Sequence, residues 1–223
     1  MTREELLALV DDGEFIREID LSGIDLAGAD LSGALFEDVT LTGARLAGAK
    51  LDEATFIKTD FSGADLAGVS MHLASLLNCR LAGTRLADSM MANAKLVDCD
   101  LAGADLSGAD LTIAALINAN LAGASLARTT LDRTSIINGK LDQLDLRGAN
   151  LLQTLLMESD LSHAEMDGID LMEGVLQKAQ LHGTRLRRAN LFAADLLRLR
   201  TDDGTDFSGA NMKRTIAGVR EKK

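Results

Sequence analysis

Proline, tryptophan and tyrosine are absent from this 223-residue sequence, and aromatic residues make up only 3% of it. No stretch approaches the eighteen or so consecutive apolar residues that a membrane-spanning helix needs, so no transmembrane segment is expected. The N-terminus, Met1-Thr2-Arg3-Glu4-Glu5, is acidic where a secretory signal is basic, which predicts a cytoplasmic protein. Basic residues are too few to balance the acidic ones, 23 against 34, and the net charge of −11 excludes sequence-independent binding to nucleic acid. Only two cysteines occur, Cys79 and Cys99. They form no C-x-x-C pair and have no histidine near them in sequence, so neither a metal site nor a redox motif is expected. No P-loop, dinucleotide fingerprint or paired-carboxylate cleft is present, and neither cofactor, small-molecule substrate nor catalytic residue is expected.

What the sequence does contain is 47% apolar residues, ample for a continuous core, arranged with a period of five. From Leu21 to Leu196 every fifth residue is Leu, Phe, Met or Ile, which makes 36 consecutive pentads in one phase. Two residues before each large residue there is in most pentads a small one, as at Ala29, Ala34, Ala44, Ala49, Ala54, Cys79, Ala104 and Ala109, and between the two lies a polar residue, often Asp. Five residues advance an α-helix by about 500°, so the large side chains would spiral around the whole cylinder. On a flat strand an odd period would alternate faces. The pattern demands a chain that turns a corner every five residues, which is a β-solenoid.

The outward positions repeat every twenty residues and give the number of sides. The residue after the large one is apolar in one column only: Ile57, Leu77, Val97, Ile117, Ile137 and Met157. One place further on, Gly23, Gly43, Gly63, Gly83, Gly103 and Gly123 share a column, whereas the apolar column is followed by Asp38, Lys58, Asn78, Asp98, Asn118, Asn138 and Glu158. Both observations fit an all-β, right-handed quadrilateral β-helix of about nine coils. At about 4.8 Å per coil it is a rod of roughly 43 Å. One stacked column reads Asp25, Arg45, Asp65, Arg85, Asp105 and another contains Asp60, Arg80, Asp100, an alternation of sign that sets the register between coils.

Three segments are expected. Residues 1–15 form a short N-terminal capping helix and lead-in, signalled by the Thr2/Glu5 capping box and by Leu6, Leu7 and Val10 near one face. Residues 16–198 form the β-helix. Residues 199–223 form a polar turn, a partial coil resuming at Phe207 and Met212 in shifted phase, and a basic tail that caps the rod or makes a dimer contact. Charge is uneven along the chain. Residues 1–111 hold 8 Lys and Arg against 20 Asp and Glu, a balance of −12, whereas residues 112–223 hold 15 against 14, a balance of +1.

The runs Ala29-Asp30-Leu31-Ser32-Gly33, Ala64-Asp65-Leu66-Ala67-Gly68 and Ala104-Asp105-Leu106-Ser107-Gly108 resemble the A-(D/N)-L-x-x signature of the pentapeptide-repeat family over about four-fifths of the chain. The resemblance implies the four-sided solenoid. For function it implies several alternatives: members that imitate DNA in shape and charge bind DNA gyrase, some protecting it from quinolones, and others are secreted effectors or accessory proteins of type VI secretion clusters. The preface Thr2 to Val10 leading straight into repeats is similar to the last group. Gyrase-protecting members often carry loops that interrupt the coil, and no such interruption occurs here between Leu21 and Leu196. The alternating column neutralises part of the acidity, and the second half carries Arg128, Arg133, Arg147, Arg187 and Arg188.

The candidate binding feature is the apolar column Ile57, Leu77, Val97, Ile117, Ile137 and Met157, a stripe of about 24 Å. Leu155 and Val175 border it, and Leu152, Met172 and Phe192 extend it onto the adjoining side. A contiguous exposed patch of this kind marks an interface, for a protein partner or a second copy, and the competing account is that β-branched residues simply stack well on a ladder. Cys79 and Cys99 stack twenty residues apart as small core residues, a spacing that would permit a disulfide in an oxidising compartment. His163 and His182 fall on one side in consecutive coils, with Asp142 in the column of His182. Outward residues on a flat ladder diverge, so these read as solvated surface. His72 is isolated.

Overall fold

A five-residue period closes into a solenoid because the residue two places after each large inward side chain adopts a left-handed backbone. In the computed structural model, which describes residues 1–217, this holds at every fifth position from Gly23 to Arg198, with φ between 50° and 78°. The last six residues of the basic tail lie outside the described residues. Glycine suits this conformation best, yet 24 non-glycine residues adopt it, including the β-branched Ile113 at φ 60°. Many corners are further held by a polar residue ahead of the large one. Its side chain accepts the backbone N–H two residues on, as Asp20 does from Ser22 (2.9 Å), Asp110 from Thr112 (2.9 Å) and Asp160 from Ser162 (2.9 Å). This local hydrogen bond is why the position is so often Asp or Asn.

Large and small inward residues fill the interior. The central residues from Leu21 to Leu196 are all buried, and Phe36 stacks on Phe56 with centroids 5.0 Å apart while Phe61 meets Phe56 edge-on at 5.1 Å. Where the small position is a threonine, it mostly donates to the carbonyl of the large residue one coil back: Thr84 to Phe61 (3.1 Å), Thr134 to Leu111 (2.7 Å) and Thr184 to Leu161 (2.7 Å). These threonines are fully buried at no cost in unpaired polar groups.

The chain forms a helix, α1 (Arg3–Asp11), and seven three-residue strands, β1 (Phe15–Arg17), β2 (Leu35–Glu37), β3 (Thr55–Ile57), β4 (Ser75–Leu77), β5 (Lys95–Val97), β6 (Ala115–Ile117) and β7 (Ser135–Ile137). The strands pair in parallel in sequence order, each residue opposite the one twenty places on, and all lie on one side of the rod, called side 1. Sides 2, 3 and 4 follow in chain order and are linked by single parallel bridges with the same step, such as Asp20↔Thr40, Asp25↔Arg45 and Asp30↔Lys50. The architecture is thus a right-handed, four-sided parallel β-solenoid with no break in phase from Leu21 to Leu196.

The N-terminal end is closed by α1. Thr2 and Glu5 form the reciprocal capping box, Leu6 is fully buried, and the Arg3 guanidinium donates to the first-coil carbonyls of Asp25 (3.3 Å) and Ala27 (3.1 Å). At the other end the step is still twenty at Gln180↔Arg200 but twenty-one at Arg185↔Asp206, Asn190↔Asn211 and Asp195↔Ile216. The extra residue is absorbed near Asp202, whose carboxylate accepts from the N–H groups of Gly183 (2.9 Å) and Gly204 (3.1 Å). The ladder therefore continues as a further partial coil, on which Met212 and Ile216 remain exposed.

Candidate protein-binding face

Side 1 differs from the other sides in how its corner is made. On sides 2 to 4 the turn is closed by a bond from the small inward residue back to the large one, for example Ala44 N–H to Leu41 O (3.0 Å). On side 1, through the strand-bearing coils, this turn bond is missing among the described residues, and where the next coil offers an acceptor the freed N–H turns to it. Thr59 N–H points at the Cys79 sulfur, Cys79 N–H at the Cys99 sulfur, and Gly139 N–H at Ser159 Oγ, 3.0 Å away. The corner opens, the backbone stays extended, and a flat sheet results. The two cysteines are free and buried, and each thiol also faces a carbonyl one coil back, Cys79 to Phe56 (3.4 Å) and Cys99 to Leu76 (3.5 Å). The hydrogen bond with Cys79, together with burial, pushes the Cys99 thiol far above its ordinary range, so it stays protonated.

On that flat side the strand register places Ile57, Leu77, Val97, Ile117 and Ile137 directly beside one another across β3 to β7. Met157 continues the column beyond the last strand, its carbonyl accepting from Asn138 N–H (2.9 Å). Leu77 is 37% exposed and the others are half-buried, because each lies against its neighbours in the ladder. Leu155 and Val175 occupy the parallel column of the same side, Leu155 bridging Ser135 and Val175. Leu152, Met172 and Phe192 lie half-buried around the corner on side 4, and Arg214 lies over the Phe192 ring at 5.5 Å from its centroid.

Two further apolar residues belong to this side. Phe15 and Leu35, each 43% exposed, stand opposite each other across β1 and β2 at its N-terminal end. They sit one place before the large residue, and inspecting that column at twenty-residue spacing would have found them. Met90, Leu73 and Ile113 are exposed on side 4 and at its corner with side 1, so the apolar surface wraps that edge. Beyond the opposite edge of side 1 runs a polar rim. Asn118 donates to Asp98 (2.7 Å), Asn138 to Asn118 (3.0 Å), and the ion pairs Lys58–Asp38 (3.6 Å) and Lys178–Glu158 (2.6 Å) complete it. Two shallow polar hollows open there, of about 280 Å³ and 450 Å³, one beside Asp38, Lys58 and Asn78 and the other beside Asn138, Glu158 and Lys178.

Elsewhere the surface is ion-paired in one direction. Seven of the nine ion pairs among the described residues join an acid to the base one coil later, including Asp25–Arg45 (3.2 Å), Asp60–Arg80 (3.6 Å) and Asp65–Arg85 (3.1 Å). Several carboxylates are held below their usual range by the turn they cap: the Ser22 hydroxyl and N–H act on Asp20, and those of Ser32 on Asp30. They remain ionised at neutral pH. His163 stacks over Gly183, and His182 lies on the same side in the next coil. Among the described residues no three His, Cys, Asp or Glu side chains converge as a metal site requires, and no helix is long and apolar enough to cross a membrane.

A continuous solenoid with four sides, five-residue edges and Asp-capped corners defines a class of structural repeat proteins. The chain belongs to the pentapeptide-repeat family, whose model, "Pentapeptide repeats", matches eight copies across residues 19–191. It is similar over 97% of its length, at 26% identity and a TM-score of 0.56, to 96% of HetL, a pentapeptide repeat protein involved in heterocyst differentiation regulation in the cyanobacterium Nostoc sp. strain PCC 7120. It also shares the fold of QnrB1, a plasmid-mediated fluoroquinolone resistance protein, at 21% identity and a TM-score of 0.53, with 91% of each chain covered. Among curated proteins nothing matches.

Proposed function

We propose that this protein is a non-catalytic protein-interaction scaffold that engages its partner through side 1. The observation that carries this reading is the coincidence of two features. The apolar column from Ile57 to Ile137 lies on the strands whose opened corners make side 1 the one flat sheet among the described residues. Burying each such side chain completely is worth roughly 1.5–3 kcal/mol, and part of that is still to be gained where the residues are only half-buried. Replacing Ile117 and Ile137 with Asp puts two charges on the stripe without touching the interior. Partner capture is expected to vanish while the unfolding transition stays cooperative, and retained capture would remove the proposal.

One observation favours a second reading, an acidic DNA mimic that binds DNA gyrase or another topoisomerase. The balance of −12 is confined to residues 1–111, and the capping carboxylates there stay charged. Against it, Arg45, Arg80 and Arg85 each neutralise an aspartate in that same half. A supercoiling assay decides: absence of inhibition at micromolar protein dismisses the mimic.

A further inference from the structure

Resting on the reading of side 1 as the binding face, we infer that its occupant is a second copy of this chain, packed side to side and antiparallel about a two-fold axis that crosses the rod between Val97 and Ile117. Such an axis, lying in the plane of the interface and perpendicular to the rod, sets each column of side 1 against the same column of the other copy with the order of coils reversed. The apolar stripe is centred on that level. Val97 meets Ile117, Leu77 meets Ile137, and Ile57 meets Met157; in the neighbouring column Leu35 meets Val175.

The polar rim is complementary under the same operation. Glu18 falls opposite Arg198, Asp38 opposite Lys178, Lys58 opposite Glu158, Asn78 opposite Asn138, and Asp98 opposite Asn118. All ten are exposed. The two ion pairs already present within each chain, Asp38–Lys58 and Glu158–Lys178, would join across the interface into squares of alternating charge, and the two polar hollows would face each other. No residue of this column is glycine, although every one has φ between 50° and 60°, where glycine is favoured and occupies most of the equivalent column of side 2. Side chains are thus kept at these positions against a backbone cost.

A parallel arrangement matches poorly. An axis along the rod would set the apolar column against the other column of side 1 at the same level, with Val97 facing Lys95 and Leu77 facing Ser75. The antiparallel contact is a strip three to four residues wide and about nine coils long, roughly 500 Å² in projection per copy, which places the pair at the lower bound of specific interfaces. Association is therefore expected to be weak. The match is incomplete at the centre, where Lys95 meets Ala115, and at the extreme coils, where Phe15 meets Asp195 and Arg17 meets Leu197.

The test is sedimentation equilibrium on the full chain with three sets of variants. The wild type is expected to be a dimer at tens of micromolar and Ile117→Asp a monomer. Glu18→Arg alone and Arg198→Glu alone are each expected to weaken association about tenfold, since each creates two like-charge contacts by symmetry, and the double variant E18R/R198E is expected to restore it. Among the described residues neither side chain has an ion-pair partner, so the swap is expected to leave the rod intact. A wild-type monomer overturns the inference, as does a dimer indifferent to Ile117→Asp, which would lie at another surface such as the exposed C-terminal coil. A double variant no tighter than the single ones overturns the antiparallel register. If the wild type is monomeric yet Ile117→Asp/Ile137→Asp still abolishes binding of a different protein, the two-fold pairing fails while the binding role of side 1 stands.

Discussion

The two ends of this rod obey one repeat and differ in how side 1 turns its corner. Up to β7 the corner is open, without the turn bond, and a continuous parallel sheet forms. Beyond it the corner closes by an ordinary turn bond, Ala179 N–H to Leu176 O (3.0 Å) and Leu199 N–H to Leu196 O (3.4 Å), and the sheet gives way to single bridges. Charge divides almost as the backbone does, with the acidity confined to residues 1–111. The first region is flat, acidic and striped with apolar side chains, and the second is near-neutral and more sharply cornered. A solenoid can thus flatten one of its sides by opening that side's corners while large apolar residues still fill the core.

The largest test of this contrast is in the core. Phe56 lies between Phe36 and Phe61, so Phe56→Ala is expected to cost about 3–5 kcal/mol, more than Leu176→Ala in the closed region at about 2–4 kcal/mol. Urea midpoints compare them, and equal losses would mean that the strand-bearing coils are no better packed. Next is the hinge between the regions. Ser159 accepts from Gly139 N–H and donates to Ile136 O (3.0 Å), so Ser159→Ala should cost about 1–3 kcal/mol by orphaning buried groups. Cys79→Ala should cost less, sulfur being the weaker acceptor. A Ser159→Ala protein as stable as wild type would break the account of the open corner.

Smaller effects are expected at the surface. Arg85→Ala, in the acidic half, removes an exposed pair with Asp65 and should cost about 0.2–1 kcal/mol, vanishing at high salt. Arg185→Ala, in the other half, should cost at least as much, because its Nε also donates to the less exposed Glu165 at 2.6 Å. The smallest is a pH effect near the C-terminal end. Hydrogen bonds from Ser208 and Arg187 hold the Asp206 carboxyl down to about 2. A depressed carboxyl stabilises the fold fully above its ordinary value of 3.8 and loses that contribution as pH falls toward 2. Melting temperatures between those values should fall less steeply in Asp206→Asn than in wild type, and parallel curves would argue against this interaction.

Much of this was legible in the sequence, because a solenoid converts linear spacing into spatial neighbourhood. The step of twenty, the stacked cysteines, the Asp-Arg columns and the capping box at Thr2 all follow from counting, and the structure has them where counting puts them. The apolar column was legible for the same reason, whereas Phe15 and Leu35 lie in the column before the large residue, where Thr55, Ser75 and Lys95 interrupt the apolar run. The Asp-Arg column shows the limit of counting. Its signs alternate at every step, but Arg45 turns back to Asp25 and Arg85 to Asp65, so it closes as separate pairs.

What the sequence by itself determined is therefore the period, the number of sides and the register, since inward residues every five places demand a corner at each step and outward columns that recur every twenty close four steps into one coil. Which corner opens was decided only by the tertiary structure. An acceptor twenty residues away, such as Ser159 Oγ for Gly139, takes the freed N–H where there is one. The corners at Cys99 and Ala119 open opposite Ala119 and Gly139, which offer none, so the packing between coils and not a local residue pattern separates open corners from closed ones.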